Sequence, residues 1–169
     1  MKITVAGHLC LDIIPTWQTG TLTALRPGSL VEMDGLTFST GGAVANTGIA
    51  LKRLGFEPTL IGRTGDDHVG EIIRNLLRSE HINPDYIALS PGETSSYTIV
   101  LNPPDTDRIF LHYPGTNDSF SADDVNFGAI PPGIFHFGYP PLMQQMYVGD
   151  GVQLERIFRK AKERGLVTS

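Results

Sequence analysis

The stretch Gly41-Gly42-Ala43-Val44-Ala45-Asn46-Thr47-Gly48-Ile49-Ala50, with Leu54-Gly55 behind it, reads as a strand giving way to a helix. Two glycines precede a run that suits a helix over residues 43–54, and Gly55 closes it as a C-terminal cap. Glycines at such a junction let the backbone approach a ligand closely and aim its N–H groups outward. Asn46, four residues after Gly42, places a side-chain amide in the same space. An amide both donates and accepts, which suits sugar hydroxyls better than a phosphate. The same residues also fit an ordinary glycine turn, with Asn46 bonded to a neighbouring loop.

Toward the N-terminus, Ile3-Thr4-Val5-Ala6 is an apolar, β-rich run that Gly7 ends, as expected of a buried strand opening an α/β sheet. Asp12 follows five residues later. Ligands of open α/β sheets lie outside the carboxyl ends of the strands, so Asp12 and the Gly41–Asn46 junction are expected to share a cleft. An ionised carboxylate there would accept two hydroxyl hydrogen bonds; a surface Asp capping a turn is the other reading. Between them, residues 22–40 break into short β-prone runs split by Pro27-Gly28 and Asp34-Gly35. The Asp-Gly pair predicts a tight hairpin between residues 31–33 and 36–38.

Toward the C-terminus, Thr59-Leu60-Ile61-Gly62 reads as a second buried strand, and Asp66 or Asp67 as the cap of another helix. Val69, Ile72, Ile73, Leu76 and Leu77 fall on one face of that helix, which His81-Ile82-Asn83-Pro84 stops. A strand near residues 86–89 completes a β-α-β-α-β order. Residues 96–101 and 108–112, joined through Asn102-Pro103-Pro104-Asp105, predict a second hairpin in the same sheet as the first. Ile134 to Gly138 is a strand, and residues 152–164 a helix with Leu154, Ile157, Phe158 and Ala161 on its apolar face. Gly165 caps it, and Leu166-Val167-Thr168-Ser169 begins another buried strand. The expected class is α/β: a doubly wound, mostly parallel sheet with a small β-hairpin lid, lid segments near 15–40 and 95–113 being inserted in the core. A sheet seldom ends two apolar residues into a strand, so the chain is expected to be truncated.

Composition narrows the function. The chain has 169 residues, 40% hydrophobic and 18% charged, which fits a medium domain with its own core, or half of a larger one. No window approaches a membrane span, and the N-terminus reaches Asp12 too soon for a secretory signal, so a cytoplasmic protein is expected. Net charge is −5, the wrong sign for a nucleic-acid partner; the basic residues of 150–169 read as the wet face of a helix. One cysteine, Cys10, excludes an internal disulfide and reads as a buried thiol. Histidines 8, 68, 81, 112 and 136 are scattered, so no metal site is expected. Gly7-His8-Leu9-Cys10-Leu11-Asp12 lacks the dinucleotide-binding glycine turn, and no P-loop motif occurs. Gly62-Arg63-Thr64-Gly65-Asp66-Asp67 reads as turn and helix cap.

Taken together, Gly41-Gly42-Ala43-Val44-Ala45-Asn46, Ala50, Leu54-Gly55, Gly62, Gly65-Asp66-Asp67 and Gly70 resemble the first signature of the PfkB (ribokinase-like) carbohydrate kinases. The hairpins resemble that family's β lid, and Gly115-Thr116-Asn117 the G-A-N that follows it. The resemblance covers nearly the whole chain. It implies that Asp12, Gly41, Gly42 and Asn46 bind sugar hydroxyls, with Asn117 and Tyr139 near the substrate. Many relatives carry an acidic residue near position 139, where this chain reads Gly138-Tyr139-Pro140-Pro141, so the sugar stays open. Arg108 could meet an acidic or phosphorylated substrate, or stand as an exposed strand residue. The family's second signature, a G-A-G-D-type loop with the catalytic Asp, does not occur, nor does its magnesium-linked motif. The resemblance therefore implies the N-terminal, sugar-binding portion of a kinase that uses ATP and Mg²⁺. The catalytic Asp is expected beyond Ser169, the chain alone is expected to be inactive and to bind neither cofactor, and the lid could mediate a homodimer. The rival expectations are a non-catalytic relative that binds a sugar or a partner, and, more weakly, another α/β nucleotide-binding domain.

Overall fold

The computed structural model describes residues 1–17, 25–104 and 106–169; the β-prone residues Leu22 to Ala24 and the turn residue Asp105 lie outside the described residues. The elements run β1 (Lys2–Gly7), β2 (Cys10–Thr16), β3 (Gly35–Gly41), α1 (Gly42–Arg53), β4 (Pro58–Gly65), α2 (His68–Ser79), β5 (Ile87–Ser90), β6 (Tyr97–Leu101), β7 (Ile109–Tyr113), α3 (Thr116–Ser119), β8 (Gly133–Gly138), α4 (Val152–Glu163) and β9 (Val167–Thr168). Strands β5-β4-β1-β8-β9 form a wholly parallel sheet. Strand alternation sends Ile3 and Val5 to one side of it, where they pack with Val44 of α1, Leu60 of β4 and Ile73 and Leu77 of α2. Ala6 packs on the other side with Phe135, Phe137, Met146 and, from α4, Ile157 and Ala161. Helices thus cover both faces, the doubly wound arrangement the sequence predicts, and burying each large side chain contributes about 1.5–3 kcal/mol. Asp67 caps α2, accepting from Gly70 N at 2.8 Å.

The lid is one four-stranded sheet in the order β3-β2-β6-β7. Its β6–β7 hairpin forms as expected, from Tyr97 opposite Tyr113 to Leu101 opposite Ile109. The other hairpin is a correction. Residues 31–33 form no strand; β3 begins at Gly35 and pairs along its whole length with β2, from Thr16 opposite Gly35 to Cys10 opposite Gly41. Strand β2 did not stand out in the sequence because it carries Asp12 and Pro15. Pro15 lies past the last residue of β2 that pairs with β6, so that side needs no N–H from it. Asp34 N donates to Thr16 O at 2.9 Å, and seven paired residues outweigh one local turn preference. No helix among the described residues is long and apolar enough to cross a membrane.

Candidate functional site

The two sheets meet where β1 passes through His8-Leu9 into β2, so the lid begins at the carboxyl end of the central body strand. Alternation along β2 sends Leu11 to the core beneath α1 and α2 and leaves Cys10 and Asp12 on the opposite face. Register extends that face: Asp12 lies opposite Ser39 on β3 and Thr98 on β6, and Thr98 opposite His112 on β7. Asp12, Thr98 and His112 form one row across three strands. Facing it are Gly42 and Asn46 of α1, His8, and Tyr139 and Leu142 from the segment after β8, around a cavity of about 550 Å³. Arg108 and Phe110 close its outer side.

The junction before α1 is shaped around this row. A Cβ on Gly41 would fall on the Asp12 carboxylate, so only glycine lets that carboxylate lie against the strand end. Gly42 has φ +85°, and a Cβ there would collide with the His8 carbonyl oxygen and stand 2.6 Å from its Nδ1. The His8 carbonyl in turn accepts from Val44 N at 3.1 Å, meeting one unsatisfied donor of the first helical turn.

A chain of polar contacts runs along the row. The Cys10 thiol donates to Asp12 Oδ1 at 3.5 Å and lies 3.8 Å from Thr98 Oγ1, which is 2.9 Å from His112 Nδ1. Burial, and then the Asp12 charge, push the Cys10 thiol up to about 12, so it is a neutral donor and not a nucleophile. Burial also raises the Asp12 carboxyl above its usual range. It lowers His112, and takes His8 down to about 4 with the help of His112, whose ring centre is 5.3 Å away. His8 is 2% exposed, and neither of its ring nitrogens has a partner.

Of the residues singled out in the sequence, Asp12, Gly42, Asn46 and Tyr139 line the cavity, with Gly41 directly behind the Asp12 carboxylate. Tyr139 adopts φ 60°, is half exposed, and sets its ring 6.2 Å from that of His8. Asn117 stands apart. It is fully buried, accepts from Leu9 N at 3.1 Å and donates to Leu9 O at 2.9 Å, clamping the loop that presents His8 and Cys10. Sequence reasoning gave His8, Cys10 and His112 no site role and did not single out Thr98, Phe110 or Leu142. The signal for the lid residues was alternation: 110 and 112 share one face of β7, with Arg108 just before the strand in the same period, though only the pairing with β6 and β2 identifies it as the cavity face. Among the described residues, no three His, Cys, Asp or Glu side chains converge as a metal site.

The family described as pfkB family carbohydrate kinase matches residues 2–131 of this chain. A fructokinase of Solanum tuberosum is 29% identical over 135 residues, which is 78% of this chain and 40% of that protein. The fructokinase structure of Halothermothrix orenii superposes with a TM-score of 0.72 at 23% identity, covering 99% of this chain and 56% of that one. A ribokinase from Cryptococcus neoformans var. grubii, solved in complex with ADP, superposes at 0.59 with 22% identity over 80% of this chain and 40% of that one. The chain thus spans about half the length of the relatives it matches, or somewhat less, and the superpositions establish a ribokinase-like fold.

Proposed function

The chain belongs to the pfkB family of carbohydrate kinases, and on that premise we propose that it is the sugar-binding portion of an enzyme that transfers the γ-phosphoryl group of ATP to a hydroxyl of a small sugar, sugar acid or nucleoside. The observation that carries this reading is the convergence of Asp12, Gly42 and Asn46 on one cavity at the carboxyl end of β1, beneath the lid. Asp12 accepts hydrogen bonds from substrate hydroxyls, and Asn46 donates one and accepts another. Gly41 leaves room for the Asp12 carboxylate and Gly42 for the His8 backbone, which sets Asp12 and the start of α1 at the cavity. The lid face carrying Thr98, Phe110 and His112 covers the sugar and excludes water from the reacting hydroxyl.

ATP, when bound, supplies the phosphoryl group, and Mg²⁺ offsets its charge. The cavity is lined by a single carboxylate, and no three metal-ligating side chains converge among the described residues, so it does not fit the metal. ATP, Mg²⁺ and the catalytic Asp are assigned here to sequence beyond Ser169. A cytoplasmic location and a homodimer through the lid belong to the same proposal. Leu36 and Phe38 of β3 and Ile109, Leu111 and Tyr113 of β7, on the face away from the cavity, are 40–54% exposed and offer an apolar surface to a second copy.

The test is ATP-dependent phosphorylation of a panel of sugars, sugar acids and nucleosides by the protein purified as its complete natural chain. Turnover of one panel member, lost in Asp12→Ala together with sugar affinity, is the expected result. Sugar binding without turnover would favour the non-catalytic relative, and no binding of any panel member would overturn the reading.

A further inference from the structure

We propose that the substrate presents an anionic group, a carboxylate or a phosphate, to the lid wall of the cavity, where Arg108 and His112 receive it. The inference rests on the sugar-binding reading and narrows its substrate class. The cavity is chemically two-ended. Its single carboxylate, Asp12, lies on β2 beside Asn46. His112 lies in the same row on β7, across β6, two strand spacings or about 9–10 Å away. Acceptors for hydroxyls and donors for an anion therefore stand at the two ends of one sugar-sized space.

Three observations mark the β7 end as an anion site. Among the described residues Arg108 makes no ion pair, as is also true of Arg74, Arg78, Arg159 and Arg164, but Arg108 alone of these five lines the cavity. Its guanidinium rests 5.3 Å from the centre of the Phe110 ring, which keeps it over the cavity mouth; its charge acts on the Asp12 carboxyl, but its side-chain N–H groups have no hydrogen-bond partner among the described residues. His112 is fixed through Nδ1 by Thr98, so its ring is held in place. Beside it, His8 is buried with both nitrogens unpartnered, a costly state for a polar ring unless a ligand satisfies it. An anionic substituent uses the guanidinium as charge partner and fork and the imidazole as donor.

Isothermal titration of the complete natural chain with D-fructose, 2-keto-D-gluconate and D-fructose 6-phosphate tests this, with acetate and inorganic phosphate as sugar-free probes. The quantity read is the ratio of the neutral to the anionic dissociation constant, in which any general loss of binding cancels. One anionic sugar is expected to bind at least tenfold more tightly than D-fructose, and which one separates the carboxylate from the phosphate source. Arg108→Gln and His112→Gln should each lower that ratio by fivefold or more, whereas Arg53→Gln, on a helix pair outside the cavity, should leave it unchanged. Equal or tighter binding of D-fructose overturns the proposal alone, as does a ratio unmoved in Arg108→Gln. Free phosphate or acetate binding as tightly as the anionic sugar overturns it too, because no sugar site would then be involved. Failure of all three sugars to bind overturns this inference, whereas the sugar-binding reading falls only if no member of the wider panel of sugars, sugar acids and nucleosides binds either.

Discussion

At Asp12 the lid strand and the helix junction come so close that a single methyl group on Gly41 would displace the carboxylate. Gly41 itself has φ −116°, which alanine adopts without strain. Gly41→Ala should therefore weaken sugar binding much as Asp12→Asn does, by roughly 10- to 100-fold for the loss of about 1.5–3 kcal/mol of charge-assisted hydrogen bonding, while its melting temperature changes little. Gly42→Ala should do the reverse, losing more than about 1 kcal/mol of stability because φ +85° and the His8 backbone both oppose a Cβ; thermal melts of the two variants separate the roles. His8 gives a pH signature. Its ordinary value of 6.5 falls to about 4 on folding because burial disfavours the charged ring. The unfolded chain thus takes up a proton between pH 6.5 and 4 that the folded chain refuses, so stability is full above pH 6.5 and is lost on acidification, by on the order of 3 kcal/mol in all. Asp12, raised by burial, works in the opposite sense, so the contrast must be made against His8→Asn. Melting curves from pH 7 to 5 should fall more steeply for the native protein than for that variant, and parallel curves would refute the assignment.

Among the elements, the loop from β1 to β2 shows what tertiary context adds to a readable sequence. Strands β1, β4 and β8 and helices α1, α2 and α4 were legible because each writes its burial in its own period: short apolar runs for the strands, and one apolar stripe for α2 and α4. Strand β2 was not, since its cavity face carries Cys10 and Asp12 and its other face ends at Pro15; the pattern is amphipathic in a way that only the second sheet explains. Asn117 was seen but its geometry was not. The amide that the resemblance set near the substrate is committed to both backbone groups of Leu9, 108 residues away in the chain. Asn117→Leu should therefore act through stability. It strands a buried N–H and a buried carbonyl, for a loss of at least about 2 kcal/mol and a melting temperature several degrees lower, before any effect on sugar affinity at low temperature. Loss of sugar affinity in a variant with native melting would place the amide in the substrate site instead.

For the whole molecule, the two sheets divide the work. The parallel body buries its strands on both faces and fixes the ends of β1 and β8, whereas the lid is an antiparallel-rich sheet with one polar face on the cavity and one apolar face whose outer part is solvent-exposed. That division explains which part of the site could be read in advance. Gly41, Gly42 and Asn46 are neighbours in sequence, so their convergence is local; His8, Thr98 and His112 meet only because β6 enters the lid parallel to β2, a pairing no short-range pattern announces. Leu111 is 50% exposed and Phe38 40%, on strands at opposite edges of the lid, with Ile13 and Ile99 between them on the same face. An apolar sheet of this extent is stable in water when a second copy covers it. Leu111→Glu places a charge at the outer edge of that face without touching the core or the cavity. Light scattering on the complete natural chain should then give a dimer for the native protein and a monomer for Leu111→Glu at the same concentration, with melting of the isolated monomer shifted by no more than the lost interface explains. A native protein that is monomeric at tens of micromolar would remove the lid from the role of interface and leave its apolar face to the body beneath it.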